Sequence, residues 1–312
     1  MTTVDEQLRR IGDADRGRPR QHVTVIGAGI AGLVAAYELE QLGHTVRIFE
    51  ASGETRGRAW THRFPDGTYG EFGPMRIPEH HDFTLHYVAR CGLELRRFVT
   101  SHENLSCFYD IRGVQVRMRD ARDVLYDKFD LSTQQRDDPI PPKMLARAVG
   151  DVVEGLTDAE RASLRTGDLA SDRLREIDRM TMGEFLRVRC GDDAAELIGA
   201  ATGLETMFDR TAMMLLRDAL TATGNRFHEI VGGMDLLPTS LAKLIKGEIV
   251  LRAPVRAIRA RPDGTVDLVV ERDGTRTTEQ CDVVVCAIPY SVLHHLELDP
   301  PLRPAKMAAV RG

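Results

Sequence analysis

The chain has 312 residues, 42% hydrophobic and 29% charged, an ordinary globular balance with ample material for a core. Its net charge of −5 gives no electrostatic reason to expect nucleic acid or an anionic membrane as a partner. No apolar run approaches the ~18 residues of a membrane-spanning helix.

The first twenty residues are polar and carry Arg9, Arg10, Arg16, Arg18 and Arg20 without an apolar stretch, so they do not read as a secretory signal. Residues 1–21 are expected to form a mobile arm. Next, His22 to Ile26 is a short β-branched run with the character of a buried strand, and Gly27-Ala28-Gly29-Ile30-Ala31-Gly32 follows at once. A helical pattern from Ile30 to Leu42 ends at Gly43, and a second strand, Thr45 to Phe49, ends at Glu50. This is a βαβ unit with the glycine spacing of a dinucleotide cradle. Gly27 permits a tight turn, Gly29 lets backbone approach a pyrophosphate, and Gly32 lets helix pack on strand. The helix N-terminus offers N–H groups and a positive dipole end to phosphate. Glu50 stands where a carboxylate bonds both ribose hydroxyls and repels a 2′-phosphate, which favours FAD or NAD over NADP.

Ala51-Ser-Gly-Glu-Thr-Arg-Gly57-Arg58 comes next. Gly73-Pro74-Met75-Arg76-Ile-Pro-Glu79 follows, with a helix expected from Asp82 to Cys91 and ended by Gly92. Strands are expected around Leu105–Tyr109 and Val114–Met118. The stretch 119–141 is charged and ends in Pro139, Pro141 and Pro142, which marks a loop or linker. Residues 142–222 read as helices, with a capping box at Thr181-Met-Gly-Glu184 and further helices over Asp192–Ala201 and Ala212–Ala222. Arg226-Phe-His-Glu-Ile-Val-Gly-Gly-Met-Asp-Leu-Leu-Pro-Thr-Ser240 turns into a helix through Leu244 that Gly247 ends. Asp263-Gly264 and Asp273-Gly274 mark hairpin turns. Cys281-Asp-Val-Val-Val-Cys286-Ala-Ile-Pro289 reads as a buried strand. The five cysteines show no metal spacing and no disulfide density, so no metal is expected and a cytoplasmic setting is.

From Glu50 onward the chain resembles the flavin-containing amine oxidase family, and the Gly73–Glu79 and Arg226–Ser240 segments resemble its L-amino-acid oxidase branch. The resemblance runs from about residue 22 to the end and is weakest between 110 and 225. It implies an α/β fold: a Rossmann-like FAD-binding domain (22–58 with 227–312), an inserted substrate-domain segment (59–118), and a linker with a helical insertion (119–226). It implies FAD, held by Gly27, Ala28, Gly29, Ile30, Ala31, Gly32, Glu50, Ala51, Gly57, Arg58, the Gly73-Pro74-Met75-Arg76 turn and the backbone at Val255. The chain departs from the family's Gly-Gly-Arg, since Arg56 replaces the first glycine and Glu54 stands where arginine is usual.

In the resembled branch the arginine of the turn holds the substrate carboxylate, which a planar guanidinium does with two parallel hydrogen bonds. Arg76 takes that role by resemblance; the alternative is a structural salt bridge to Glu71 or Glu79. His228 could be a base, but a partly buried structural histidine is the favoured reading. The implied reaction takes an L-amino acid and molecular oxygen to a 2-oxo acid, ammonia and hydrogen peroxide. Oxidative decarboxylation to an amide, oxidation of a natural-product amine, and a non-catalytic FAD-binding or interaction subunit are the competing readings. In relatives the segment Pro300–Arg311 leads into a long second half carrying a flavin-proximal lysine and aromatic walls. The resemblance therefore implies a second polypeptide completing the fold, with a fragment or a reduced protein as the alternatives.

Overall fold

A computed structural model describes residues 3–100, 103, 107–169, 171–222 and 226–311. The chain divides into two compact units, Met1–Phe98 with Arg226–Gly312, and Val99–Asn225.

The first unit is built on a parallel sheet in the order Ile249–Val250, β2 (Thr45–Phe49), β1 (His22–Ile26), Val283–Cys286. β1 is central and pairs in register with both neighbours, Val23 opposite Val46 and Val283. Its β-branched residues are buried on both faces, as a central parallel strand requires. On one face lie α2 (Ile30–Gln41), α3 (Asp82–Arg90) and the helix Leu236–Leu244, packing Leu33, Ala36, Val88 and Leu241 against Val25 and Ile48. On the other lies an antiparallel sheet, Thr275–Cys281, Val266–Arg272, Val255–Ala260, with Glu297–Asp299 added in parallel, which packs Leu268 and Val270 against Ile26 and Phe49. Asp273 and Gly274 both have positive φ (51° and 77°), the geometry of a two-residue hairpin turn.

Two small sheets complete this unit. β3 (Thr61–Arg63) and β4 (Tyr69–Glu71) form a hairpin. β5 (Ile77–Pro78), the strand Phe227–Ile230 and β6 (Leu95–Arg97) form a three-stranded antiparallel sheet with the Phe227 strand in the middle.

The second unit is helical around a core that includes Leu174, Leu186, Leu197, Ile198 and Leu216, with one hairpin, Phe108–Ile111 and Val114–Arg117. The sequence grouped this hairpin with the arginine turn; it belongs with the helices. Of the expected strand Leu105–Tyr109, Leu105 and Ser106 lie outside the described residues.

Two further expectations are corrected. The arm read from residues 1–21 carries α1 (Val4–Asp15), closed by a capping box in which Thr3 Oγ1 accepts from Glu6 N at 3.2 Å and Glu6 Oε2 from Thr3 N at 3.1 Å. The Asp15 carboxylate at its other end meets Arg20 at 3.1 Å and buried His44 at 3.5 Å. The Thr-x-x-Glu signal was present, and the arginine count concealed it. The linker read from 119–141 contains the helices Ala121–Leu125 and Thr133–Asp137 and buries Ala121, Leu125, Tyr126, Phe129 and Leu131 in the helical core. Apart from Asp138, which is buried and paired with Arg147, its charges sit outside while its apolar residues face in.

Thr181 Oγ1 accepts from Glu184 N at 3.2 Å and Glu184 Oε2 from Thr181 N at 2.8 Å. The backbone bond from Thr181, with the Thr181 side chain, holds the Glu184 carboxyl below its ordinary value. Thr181→Ala is expected to destabilise the protein by about 1 kcal/mol in urea unfolding at neutral pH. A carboxyl lowered on folding stabilises above its unfolded value and loses that contribution as pH falls. The Thr181→Ala deficit should therefore shrink on acidification through the carboxylate range.

Candidate FAD and substrate site

The cradle forms where β1 turns into α2. Gly27 has φ +103° and its N–H donates to Phe49 O at 2.8 Å, tying the turn to β2. A Cβ on Gly32 would lie 1.9 Å from Gly27 O, so only glycine lets this helix start here. The helix is N-capped by Gly29, whose lack of a side chain leaves the first-turn N–H groups without a side-chain acceptor. The Gly57 turn comes down on the same place: Gly57 has φ +55°, and a Cβ on it would lie 3.0 Å from Gly29 Cα. Arg56 is not in the left-handed region, so its replacement of glycine carries no backbone strain there; its guanidinium pairs with Glu54 and sits 5.1 Å from the centre of the Trp60 ring.

Glu50 closes the cradle. Its Oε2 accepts from Ala28 N at 2.7 Å and its Oε1 from Ser52 N at 2.8 Å, which fixes the carboxylate and leaves lone pairs for further donors. Ala28 is buried, Ile30 half-buried, and Ala31, Ala51 and Arg58 exposed. Val255 is buried at the start of its strand, beside a bulge between Val255 and Ala257.

The arginine turn is held by two contacts. A Cβ on Gly73 would lie 2.0 Å from Arg58 O, so the turn packs directly on the backbone of Arg58. Phe72 N donates to Trp60 O at 2.8 Å. Pro74, Met75 and Arg76 are exposed. The Arg76 guanidinium lies 4.9 Å from the centre of the Phe227 ring. Among the described residues it has no ion pair, with Glu71 or Glu79 or any other group.

Glu71 is engaged elsewhere. Its Oε2 accepts from Thr61 Oγ1 at 2.8 Å and its Oε1 from Met234 N at 2.9 Å. Thr61 Oγ1 in turn accepts from Asp235 N at 3.2 Å, and Arg63 bridges Asp235 at 2.8 and 2.9 Å and Gly232 O at 2.8 Å. A Cβ on Gly233 would lie 2.6 Å from Thr61 Cγ2, which explains why Gly233, at φ +125°, follows Gly232. Burial alone would raise the Asp235 carboxyl, but the bonds from Arg63 and Thr61 outweigh it and hold it below its ordinary value.

Strand alternation decides what faces what. Ile77, His228, Ile230 and Leu95 share one face, and Ile77 and Ile230 are buried in the core beneath it. Phe227 and Glu229 therefore face the other way, with Arg96 paired opposite Glu229. Arg76, stacked on Phe227, belongs to this outer face. His228 does not: it lies on the core side, with Nδ1 buried and without a hydrogen bond among the described residues. The structure thus brings together the cradle glycines, Glu50, Gly57 and the arginine turn, and separates His228 from Arg76. The sequence reading missed Phe227, the Thr61–Glu71–Asp235–Arg63 clamp and Arg96. Only alternation along Phe227–Ile230 pointed to the first, and no local signal pairs residues so far apart in the chain.

The family model for flavin containing amine oxidoreductase matches residues 30–312. The chain is 36% identical over 291 residues to the flavin-dependent L-tryptophan oxidase RebO of Lentzea aerocolonigenes, covering 90% of this chain and 61% of that one. It is 30% identical to an L-amino-acid oxidase of Vipera ammodytes ammodytes, covering 98% and 62%. It spans about three fifths of the length of these relatives. A solved putrescine oxidase with putrescine bound superposes with a TM-score of 0.68 at 19% identity, over 94% of this chain and 63% of that one, which speaks for the fold. With a matched model over most of its length, the chain belongs to the FAD-dependent family of flavin-containing amine oxidoreductases.

Proposed function

We propose that the protein acts in the oxidation of an L-α-amino acid, with molecular oxygen and water, to a 2-oxo acid, ammonia and hydrogen peroxide. The observation that carries this reading is Arg76, an exposed guanidinium on an aromatic support, left unpaired among the described residues while Glu71 is tied to Thr61 and Met234. The relatives named as L-amino-acid oxidases favour an amino acid over a simple amine.

The residues of the cradle fit FAD. Gly27, Gly29 and Gly32 with Ala28, Ile30 and Ala31 would present the N–H groups of the α2 N-terminus to the pyrophosphate. Glu50 with Ala51 would take the ribose, Gly57 and Arg58 would approach the phosphates, and backbone at Val255 would meet the adenine. When bound, FAD supplies the acceptor for hydride from the substrate α-carbon. Gly73, Pro74 and Met75 set the turn from which Arg76 would grip the substrate carboxylate by two parallel hydrogen bonds, fixing the α-carbon's orientation. Phe227 would hold the guanidinium plane by its ring face, limiting the rotamers Arg76 can adopt. His228, turned to the core, is given no part at the substrate.

Anaerobic addition of L-amino acids to the protein as isolated from its host, together with any second polypeptide that completes the pocket, should bleach the flavin absorbance. An unchanged spectrum across all the common L-amino acids would defeat the reading. Arg76→Ala should lower kcat/KM for amino acids by about 100-fold, the loss of hydrogen bonds to a charged group, and for simple amines far less; equal losses would argue against carboxylate binding. Gly32→Ala should yield protein without flavin, read as the ratio of visible to ultraviolet absorbance, because its methyl group would lie 1.9 Å from a carbonyl oxygen.

A further inference from the structure

The outer face that carries Arg76 and Phe227 continues into an open cleft of about 460 Å³, lined among others by Tyr69, Glu71, Met75, Arg96, Phe98 and Glu229. Resting on the reading of Arg76 as the carboxylate anchor, we propose that the Arg96–Glu229 pair is the charge filter of this cleft, the element that decides which substrate side chains enter it.

The pair is built into the sheet. Arg96 and Glu229 are cross-strand partners in register, and Arg96 Nε donates to Glu229 Oε1 at 2.7 Å. Arg96 Nη2 also donates to the Tyr69 hydroxyl oxygen at 3.1 Å, joining the pair to the β3–β4 hairpin. Glu229 lies two residues along the same strand from Phe227 and on the same face, so the cleft begins beside the Arg76 anchor. The Glu229 side chain is 18% exposed and Arg96 54%. The carboxylate is thus largely covered, with the guanidinium as its outer cap. The other ionisable groups of the lining are Tyr69, already bonded to Arg96, and Glu71, whose two oxygens take the Thr61 hydroxyl and Met234 N–H.

The charges of Arg96 and Glu229 cancel, and the remaining walls are Gly67, Thr68, the rings of Tyr69 and Phe98, the Met75 thioether and the Glu71 carboxylate, whose two oxygens are already bonded to Thr61 and Met234. A neutral side chain entering here leaves the pair intact. A side-chain carboxylate meets a guanidinium whose charge Glu229 already offsets; an ammonium meets a carboxylate whose charge Arg96 already offsets. Either charge is desolvated against a pair that has no net charge to offset it, so both are disfavoured. Removing one member should admit the charge that the other attracts. Glu229→Gln frees Arg96 for a side-chain carboxylate. Arg96→Met frees Glu229 for an ammonium.

The test compares L-leucine, L-glutamate and L-lysine as probes, by kcat/KM and by isothermal titration calorimetry, on the protein as isolated. Glu229→Gln should raise the preference for glutamate over leucine by about 10-fold or more, and Arg96→Met should do the same for lysine. The exchange Arg96→Glu with Glu229→Arg should restore the preference for leucine. Preferences that do not move in either single variant, with thermal melting unchanged, would overturn the filter. So would an equal loss for all three probes with lowered melting, since that marks a pair that only holds the sheet. If the unaltered protein binds none of the three and Arg76→Ala changes nothing, the anchor itself fails and the filter with it. Binding that Arg76→Ala weakens, with no change of charge preference in the pair variants, removes the filter alone.

Discussion

The contact between Gly32 and the carbonyl of Gly27 fixes where α2 begins, and much of the first unit follows from it. With no side chain between them, the helix starts directly behind the β1 turn and its N–H groups lie uncovered at the edge of the parallel sheet. The Gly57 turn closes over the same point through Gly29, and Glu50 is held by N–H groups on both sides of the turn. A side chain at Gly32 or Gly57 would separate backbones that must touch, and Gly27 holds a φ of +103° that disfavours one. The constraint is steric, and it explains why three glycines and one acid are spaced as they are.

A second constraint acts through hydrogen bonds. Glu71, Thr61, Asp235 and Arg63 tie the β3–β4 hairpin to the Val231–Asp235 segment, and each donor or acceptor in the chain of bonds has a partner. Such networks hold well when every member is satisfied. Here both Glu71 oxygens are taken up within the clamp, while the Arg76 guanidinium stays exposed over the Phe227 ring.

The cradle was legible in the sequence because its signal is local: strand, glycines, helix and acid lie within thirty residues, and each has a backbone reason to be there. The helix N-terminus at Thr181 was legible for the same reason. The stretch 119–141 was misread because Asp, Arg and Lys dominate its composition, while the five residues that bury it are spread among them. The N-terminal helix was not legible because the polar composition of the first twenty residues hides it, and its start rests on Thr3 and Glu6 alone. The surroundings of Arg76 were out of reach, since Phe227 and Glu229 come to β5 and β6 across more than a hundred residues. His228 was open between a base and the favoured structural histidine, and the parity of its strand position turns it inward.

The β3–β4 hairpin has an optical consequence. Trp60 is the chain's sole tryptophan, its ring centre 5.1 Å from that of Phe72 and under the Arg56 guanidinium, with its carbonyl bonded to the backbone that leads into the arginine turn. Indole emission from this chain therefore arises from one place, between the Gly57 turn and the Gly73 turn. Any event that shifts either turn changes the polarity and cationic contact around that single fluorophore, so the protein carries its own reporter at the junction of its two glycine turns.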